Sequence, residues 1–480
     1  MVAGTGSDVG KSLLVAGLCR IFKQDGYSPA PFKAQNMALN SFVTLDGLEI
    51  GRAQAVQAEA AGLECQVEMN PVLLKPIGNT ESQVVLNGRP LGNRCAFDYY
   101  KPELRRMLRR EVCDAFNRLS EKFNPIVLEG AGSVSELNLR EYDLVNMPMA
   151  AYADAAVILV ADIDRGGVFA SAYGSIMLQT TEDRKRIKGI IVNKFRGDKR
   201  LFSEGRRILE KICEVPVLGV MPWLPDLMIE AEDALVVRKR AIEAGMVKIG
   251  VVLLPHMANF TDFDPLETDR RINLQYLKNI EDLQDCQIII IPGSKATVSD
   301  LLWLHNSGFA EAIIRARREG KTIVGICGGY QMMGHSVSDP LGIEGPAKDM
   351  IGLRLLNTCT VIESEKSTKR RLFRFLDHAD TCTGYEIHMG TTKVDGLSLN
   401  TLDDGSPEGC IADDRCFGSY MHGIFENLSI VDFILKPYTE ESSEPCDYKS
   451  FKELQYNRLA ESMRQNLDIE KLYKILSYDD

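Results

Sequence analysis

The chain reads as an α/β protein of two domains, each built on a parallel sheet, and three observations lead there. Short apolar runs alternate with longer helical patterns along most of the 480 residues, which is the signature of repeated strand–helix–strand construction. A glycine-rich loop ending in a Lys-Ser pair opens a helix at the front of the chain, and a glycine-flanked cysteine ends an apolar run in the second half. At roughly 100 to 200 residues per domain the length suits two or three cores.

In the first half, strands are expected at 30–33, 126–128, 156–162, 190–193 and 217–220, each ending in polar or glycine residues. Ligands of parallel sheets gather at the carboxyl ends of strands, so function is expected there. A charged stretch, 237–247, follows the proline-rich segment 221–226, and a new strand series opens at 248–254 and continues at 286–292 and 322–327. Domains are therefore expected at 1–240 and 247–440, joined near residue 245. The segment 438–445 is polar, and 451–476 carries Leu454, Leu459, Met463, Leu467, Leu472 and Ile475 at helical spacing. This extension, 441–480, is expected to pack on the second domain.

Lys plus Arg number 56 against 67 Asp plus Glu, a net charge of -11. Such a balance offers no global attraction for nucleic acid or an anionic membrane, so an anionic ligand must be met by local geometry. None of the 12 cysteines forms a C-x-x-C pair, which argues against a zinc or dithiol site and for a reducing cytosol. No run approaches the roughly 18 apolar residues of a membrane span, and Met1 to Gly10 lack the apolar core of a signal peptide. A cytoplasmic enzyme is expected, and no pattern assigns an oligomeric state.

Gly4-Thr-Gly-Ser-Asp-Val-Gly10-Lys11-Ser12 leads straight into Leu13, Leu14, Ala16, Leu18, Ile21 and Phe22, an apolar helical face closed by Gly26. Such a loop cradles phosphates. Backbone N–H groups of Gly4, Thr5, Gly6, Val9 and Gly10 approach the anion, Lys11 neutralises the β/γ oxygens, Ser12 ligates Mg²⁺, and the helix N-terminus adds its dipole. ATP is the expected nucleotide. Only Met1, Val2 and Ala3 precede the loop, so the strand that should hold it is expected to be almost absent.

Magnesium also needs carboxylates. Glu129, at the end of the 126–128 strand, and Asp46, in Thr-Leu-Asp-Gly, are the candidates. Asn193, at another strand end, is placed to read the nucleotide base, and Lys33 and Arg165 to meet an anionic substrate or a transferring phosphoryl group.

Gly325-Ile326-Cys327-Gly328-Gly329 sits where a strand turns into a helix. A nucleophile at such a turn is held exposed while the flanking glycines leave room for an oxyanion hole. Gly328 N–H and Gly293 N–H, the latter from Pro292-Gly293-Ser294, are the expected donors. Of six histidines, His422 in Gly418-Ser-Tyr-Met-His-Gly is taken as the base, with His388 its competitor.

A phosphate loop able to activate a carboxylate, fused to a cysteine hydrolase unit, suggests a glutamine-dependent amide ligase. The loop spacing is similar to that of dethiobiotin synthetase-type enzymes, and the second half to class I glutamine amidotransferases. Over nearly its whole length the chain resembles the cobyric acid synthase family of cobalamin biosynthesis. The particular segments are Pro31-Phe-Lys-Ala-Gln-Asn36 and Asp162-Ile-Asp-Arg-Gly-Gly167, with Tyr385-Glu-Ile-His-Met-Gly390 and Tyr420-Met-His-Gly423 further on. The resemblance implies ATP- and glutamine-dependent amidation of the b, d, e and g carboxylates of adenosylcobyrinic acid a,c-diamide. It also implies Cys327 as nucleophile and His422 as proton shuttle. Many class I amidotransferases carry Asp or Glu two residues after this histidine. Ile424 stands there in this chain, which implies a Cys-His dyad with Glu426 as a weak orienting group. Cobyrinic acid a,c-diamide synthase shares the two-part plan, but the segment Lys33-Ala-Gln-Asn-Met37 argues against it. A CTP synthase-like ligase differs in its phosphate loop. A partition-type ATPase switch would leave the Cys327 turn without a use.

Overall fold

The computed structural model describes residues 1–77, 81–230, 246–344, 349–439 and 447–476. It resolves into two compact units, one comprising Met1–Ala38, Glu49–Glu230 and Lys452–Asp480, the other Leu39–Leu48 and Ala231–Phe451.

The first unit is built on a parallel sheet in the order Val2–Gly4, Val157–Asp162, Ile187–Phe195, Val217–Pro222. The first strand forms in spite of its shortness. Val2, Ala3 and Gly4 align with Ile158, Leu159 and Val160, and Val2 also bridges Glu129 in the parallel sense. Three residues suffice because both of its neighbours hold it and its side chains are buried. A parallel pair, Ala30–Phe32 with Ile126–Leu128, lies on that other side. The carboxyl ends of these strands thus bring Gly4, Lys33, Glu129, Asp162 and Asn193 to one edge of the sheet, as the strand-end rule requires. A further sheet of Gln35–Met37, Val72–Ile77, Glu81–Leu86 and Arg89–Cys95 was not anticipated from sequence.

Helix Lys11–Gln24 buries Leu14, Leu18, Ile21 and Phe22 in a core shared with Tyr456, Leu459, Met463 and Leu467. The first three of these come from the helix Tyr448–Asn466, and Leu467 follows it directly. The expectation that the C-terminal extension packs on the second domain is therefore corrected: from Lys452 onward it belongs to the first unit. Gly17 explains part of the fit, since a Cβ there would lie 2.1 Å from Met463 Sδ. Arg20, nearly buried, pairs with Glu453 at 2.5 Å. Burying a Leu or Met side chain contributes about 1.5–3 kcal/mol, and this interface buries several.

The second unit has a main sheet in the order Ile272–Leu277, Val247–Val252, Ile288–Ile291, Thr322–Ile326, Cys416–Ser419, Cys410–Asp413, parallel except for the last pair. The run Ile288–Ile291 is wholly buried, as expected of a central parallel strand covered on both faces. A long hairpin, Thr358–Phe375 with Thr381–Val394, forms the frame of a second sheet. The expected 1–240 boundary also needs correction, because Leu39–Leu48 belongs to this unit. The join near residue 245 and most of the expected polar loop 438–445 lie outside the described residues. No helix among the described residues is long and apolar enough to cross a membrane.

Candidate active sites

In the first unit, Gly10 caps helix Lys11–Gln24 at φ 97°. That left-handed conformation suits glycine, and a Cβ at Gly10 would also fall 2.2 Å from Asn193 Nδ2. Asn193 Nδ2 donates to Val9 O at 2.8 Å. Asn193 therefore braces the loop through one donor of its amide. Thr5 N–H donates to Val160 O, and Val134 N–H to Gly4 O, both at 3.0 Å, which ties the loop to strand Val157–Asp162 and to the turn that follows strand Ile126–Leu128. The Lys11 ammonium donates to the carbonyls of Gly6 and Gly132, each at 2.9 Å, curling across the cradle formed by Gly4 to Gly10.

Ser12 Oγ donates to Glu129 Oε1 at 2.8 Å. Lys33 Nζ donates to the same oxygen at 2.9 Å, and Gln57 Nε2 to Oε2 at 2.6 Å. Burial works against the Glu129 charge, yet the Lys33 charge and these hydrogen bonds outweigh it and hold the carboxyl below its ordinary range. An ionised carboxylate bonded to the loop serine is a donor set that fits Mg²⁺, which keeps waters and phosphate oxygens as its other ligands. Asp46 is not part of that set: it is exposed in a turn of the segment assigned to the second unit. Lys33 is committed to Glu129, and Arg165 is a surface cation paired with Asp8 at 3.2 Å and Asp162 at 3.8 Å.

In the second unit, Cys327 stands at φ 50°, ψ -109° between strand Thr322–Ile326 and helix Gly328–Met333. A non-glycine residue held there costs about 1–3 kcal/mol, and it persists only where its surroundings fix it. Here they do, because Gly325 and Gly329 let backbone close in. A Cβ at Gly329 would lie 1.9 Å from Ile291 O, and one at Gly325 2.8 Å from Tyr330 N. Gly293 sits beside the cysteine, with its imagined Cβ 3.2 Å from His422 Cε1 and 3.8 Å from Cys327 Cβ. Gly328 adjoins the same turn, 2.9 Å from Ser294 N by the same measure. Gly328 begins the helix, where N–H groups have no partner within the helix.

His422 is buried, and its Nδ1 lies 2.6 Å from Asp262 Oδ2, while Gly423 N–H donates to Asp262 Oδ1 at 2.9 Å. Burial disfavours its charge, but Asp262, then Cys327, more than reverse this and raise the imidazole to about 10. Tyr385 stacks on its ring at 5.4 Å. Asp262 was missed from sequence. It overturns the expectation of a dyad, and it occupies the position offered to Glu426. The available signal was Asn259-Phe-Thr-Asp262, which follows the Val247–Val252 strand at its carboxyl end. The competitor His388 is stacked on Tyr420 at 3.7 Å and pushed by burial down to about 4, so it is neutral and occupied.

Two family models match the chain. Residues 1–236 match the family model for a CobQ/CobB/MinD/ParA nucleotide binding domain, and residues 248–429 that for a CobB/CobQ-like glutamine amidotransferase domain. The cobyric acid synthase of Phocaeicola vulgatus is 58% identical over all of this chain and 98% of its own length. The chain belongs to the cobyric acid synthase family. The Bacteroides fragilis enzyme is 55% identical over 100% of this chain and 98% of its own, and that of a Thermoanaerobacter species 45% over 99% and 98%. Among solved structures, a glutamine amidotransferase is similar at 16% identity and TM-score 0.31, over 39% of this chain and 97% of that one. The MinD cell division protein of Aquifex aeolicus is similar at 14% identity and TM-score 0.27, over 47% and 82%. As a member of this family with a glutamine amidotransferase domain, the chain is a glutamine-dependent amide ligase.

Proposed function

We propose that this chain amidates the b, d, e and g carboxylates of adenosylcobyrinic acid a,c-diamide in the cytoplasm, using ATP and the amide nitrogen of glutamine. The observation that carries the reading is that one chain holds both a Cys327–His422–Asp262 cluster at a strained turn and a phosphate loop whose Ser12 is bonded to an ionised Glu129.

In the second unit the Cys327 thiolate attacks the glutamine carboxamide carbon. The N–H groups of Gly328 and Gly293 hold the oxygen as it becomes an oxyanion. His422, held protonated by Asp262, gives its proton to the departing ammonia and leaves a thioester. Water then attacks the thioester, His422 takes a proton from it, and glutamate departs with the thiolate restored.

In the first unit the corrin carboxylate takes the γ-phosphoryl group of ATP, releasing ADP and forming an acyl phosphate. Ammonia attacks the acyl carbon, loses a proton and expels phosphate. Gly4, Gly6, Val9 and Gly10 supply backbone N–H groups to the phosphates, Thr5 N–H being spent on Val160 O, and Lys11 supplies charge. Ser12 and Glu129 would hold Mg²⁺, which neutralises charge on the phosphate oxygens. Asn193 keeps the loop in shape from below.

Mass spectrometry of the corrinoid after incubation with ATP and glutamine tests the reading. Each amidation exchanges a hydroxyl for an amino group, so a ladder of successive mass decrements is expected. No decrement on any corrinoid, with ammonia or glutamine as donor, overturns it.

A further inference from the structure

We propose that a cavity of about 390 Å³ in the first unit, between the phosphate loop and helix Pro102–Ser120, is the acceptor pocket, and that Arg105 holds the acceptor carboxylate. The proposal rests on the function proposed above, whose acceptor is a carboxylate side arm on a large ring of apolar edge.

Arg105 carries the argument. It lines the cavity and is only 8% exposed, yet among the described residues no carboxylate pairs with it. Its Nε is buried without a hydrogen-bond partner. Its Nη1 reaches Gln35 Oε1 only at 3.4 Å, an oxygen that already accepts from Tyr99 O–H at 2.5 Å. The guanidinium carbon lies 5.1 Å from the Tyr99 ring centre and 5.7 Å from that of Tyr100. Those rings explain how a cation is tolerated there. They leave most of its five N–H donors unused, and a guanidinium out of water with unused donors is costly. A carboxylate from outside the chain, taken in bidentate fashion, satisfies what the fold leaves open.

The other walls agree. Ser7 of the phosphate loop and Gly132 line the cavity. Lys11 Nζ is bonded to Gly132 O at 2.9 Å, so the cavity and the phosphate cradle share a wall. Transfer of a phosphoryl group to a carboxylate needs that adjacency. At the mouth stand Leu139 and Tyr142, 38% and 37% exposed. Of the charged groups in the lining, Asp143 accepts from the N–H groups of Val145 and Asn146, Arg140 pairs with Asp183, and Glu136 stands beside them. Among the described residues of the lining, Arg105 is therefore the cation left for a carboxylate arm, and the apolar rim suits such an arm on a hydrophobic ring edge better than a free small acid. Gln35 belongs to the segment Pro31–Asn36 that separates this family from its neighbours in sequence. The cavity supplies a use for it.

The experiment is steady-state amidation by the full chain, with ammonia as donor, comparing wild type with Arg105→Gln, Arg105→Lys and Leu139→Glu. Loss of a charged hydrogen-bonded partner predicts that Arg105→Gln raises the acceptor KM about 10- to 100-fold, with the KM for ATP changed less than about twofold. Arg105→Lys should recover part of the loss by restoring charge without the fork. Leu139→Glu, at an exposed position that folding tolerates, should raise the acceptor KM by repelling a polycarboxylate. It decides the matter alone if Arg105→Gln no longer binds ATP. Turnover by wild type with an unchanged acceptor KM in the folded variants overturns the pocket and leaves the function standing. Absence of wild-type turnover on any corrinoid overturns the function and the pocket with it.

Discussion

Replacing Asp262 by Asn removes a buried negative charge 2.6 Å from His422 Nδ1 while keeping the side-chain volume. The imidazole is raised from 6.5 to about 10 with Asp262 the leading cause of the rise, against burial that pulls it down. Without that charge the imidazole should fall to the ordinary value or below it. A step that needs the imidazolium is available below its pKa and lost above it, so lowering the pKa brings the alkaline limb of the rate profile to lower pH. At pH 8 a group titrating near 10 is about 99% protonated, and one near 6.5 about 3%, a deficit of roughly 30-fold in the active form. The variant should therefore lose at least that factor in glutamine hydrolysis at pH 8 and recover most of it near pH 6. The assay is the initial rate of glutamate release across that range, with ATP and corrinoid present. Ammonia-driven amidation is measured beside it as a sign that the chain is folded. A variant whose alkaline limb superimposes on that of wild type would refute the assignment of Asp262 as the group that keeps His422 charged.

Three further outcomes are expected. Cys327→Ala should reduce glutamine-driven amidation to background while ammonia-driven amidation persists; persistence of both would remove Cys327 from the reaction. Glu129→Gln removes a buried negative charge 2.9 Å from Lys33 Nζ, which should lower stability by about 3–5 kcal/mol in urea unfolding, and it should depress amidation with either nitrogen donor while glutamine hydrolysis continues. Gly219→Ala places a methyl 2.1 Å from Asn466 O and 2.9 Å from Leu467 Cα. Because backbone must shift, a loss of about 1–3 kcal/mol is expected, seen calorimetrically as earlier melting of the first unit.

The parts legible in sequence were those whose chemistry is written in neighbouring residues. The phosphate loop and the Cys327 turn each compress strand end, glycines and reactive group into about ten residues, so spacing alone locates them. Strand ends at Glu129 and Asn193 could be read for the same reason. What escaped was pairing at a distance. Asp262 and His422 are 160 residues apart, and Lys33 and Glu129 96 apart, so no local pattern reports either contact. Lys33 looked available for substrate only because its partner was out of view. The C-terminal helix shows a different limit. Its apolar spacing says that it will be buried, but Leu459 and Met463 would suit any apolar groove. What selects the first unit is the space left by Gly17 and the Arg20–Glu453 pair, and neither is visible in the helix itself. The transfer of Leu39–Leu48 to the second unit was hidden likewise. Ser41 N–H donates to Asn259 Oδ1 and Phe42 packs on Tyr385, contacts made more than two hundred residues along the chain.

The two charges to which the proposed chemistry is assigned are built on one physical plan with opposite signs. Glu129 and His422 are both buried, and for each, removal from water opposes the charge that the chemistry needs. In each a leading counter-ion, Lys33 or Asp262, acts with further groups, hydrogen bonds from Gln57 and Ser12 for Glu129 and the neighbouring Cys327 for His422, to outweigh that penalty. This resolves the tension between a chain of net charge -11 and the two polyanionic substrates proposed for it. A surface field is screened over about 10 Å at ordinary salt, whereas a buried pair at hydrogen-bond distance is screened far less. The local ion pairs therefore set protonation at the reacting atoms whatever the surface carries. It follows that surface charge substitutions far from both sites should alter the salt dependence of substrate encounter without moving either limb of the pH profile.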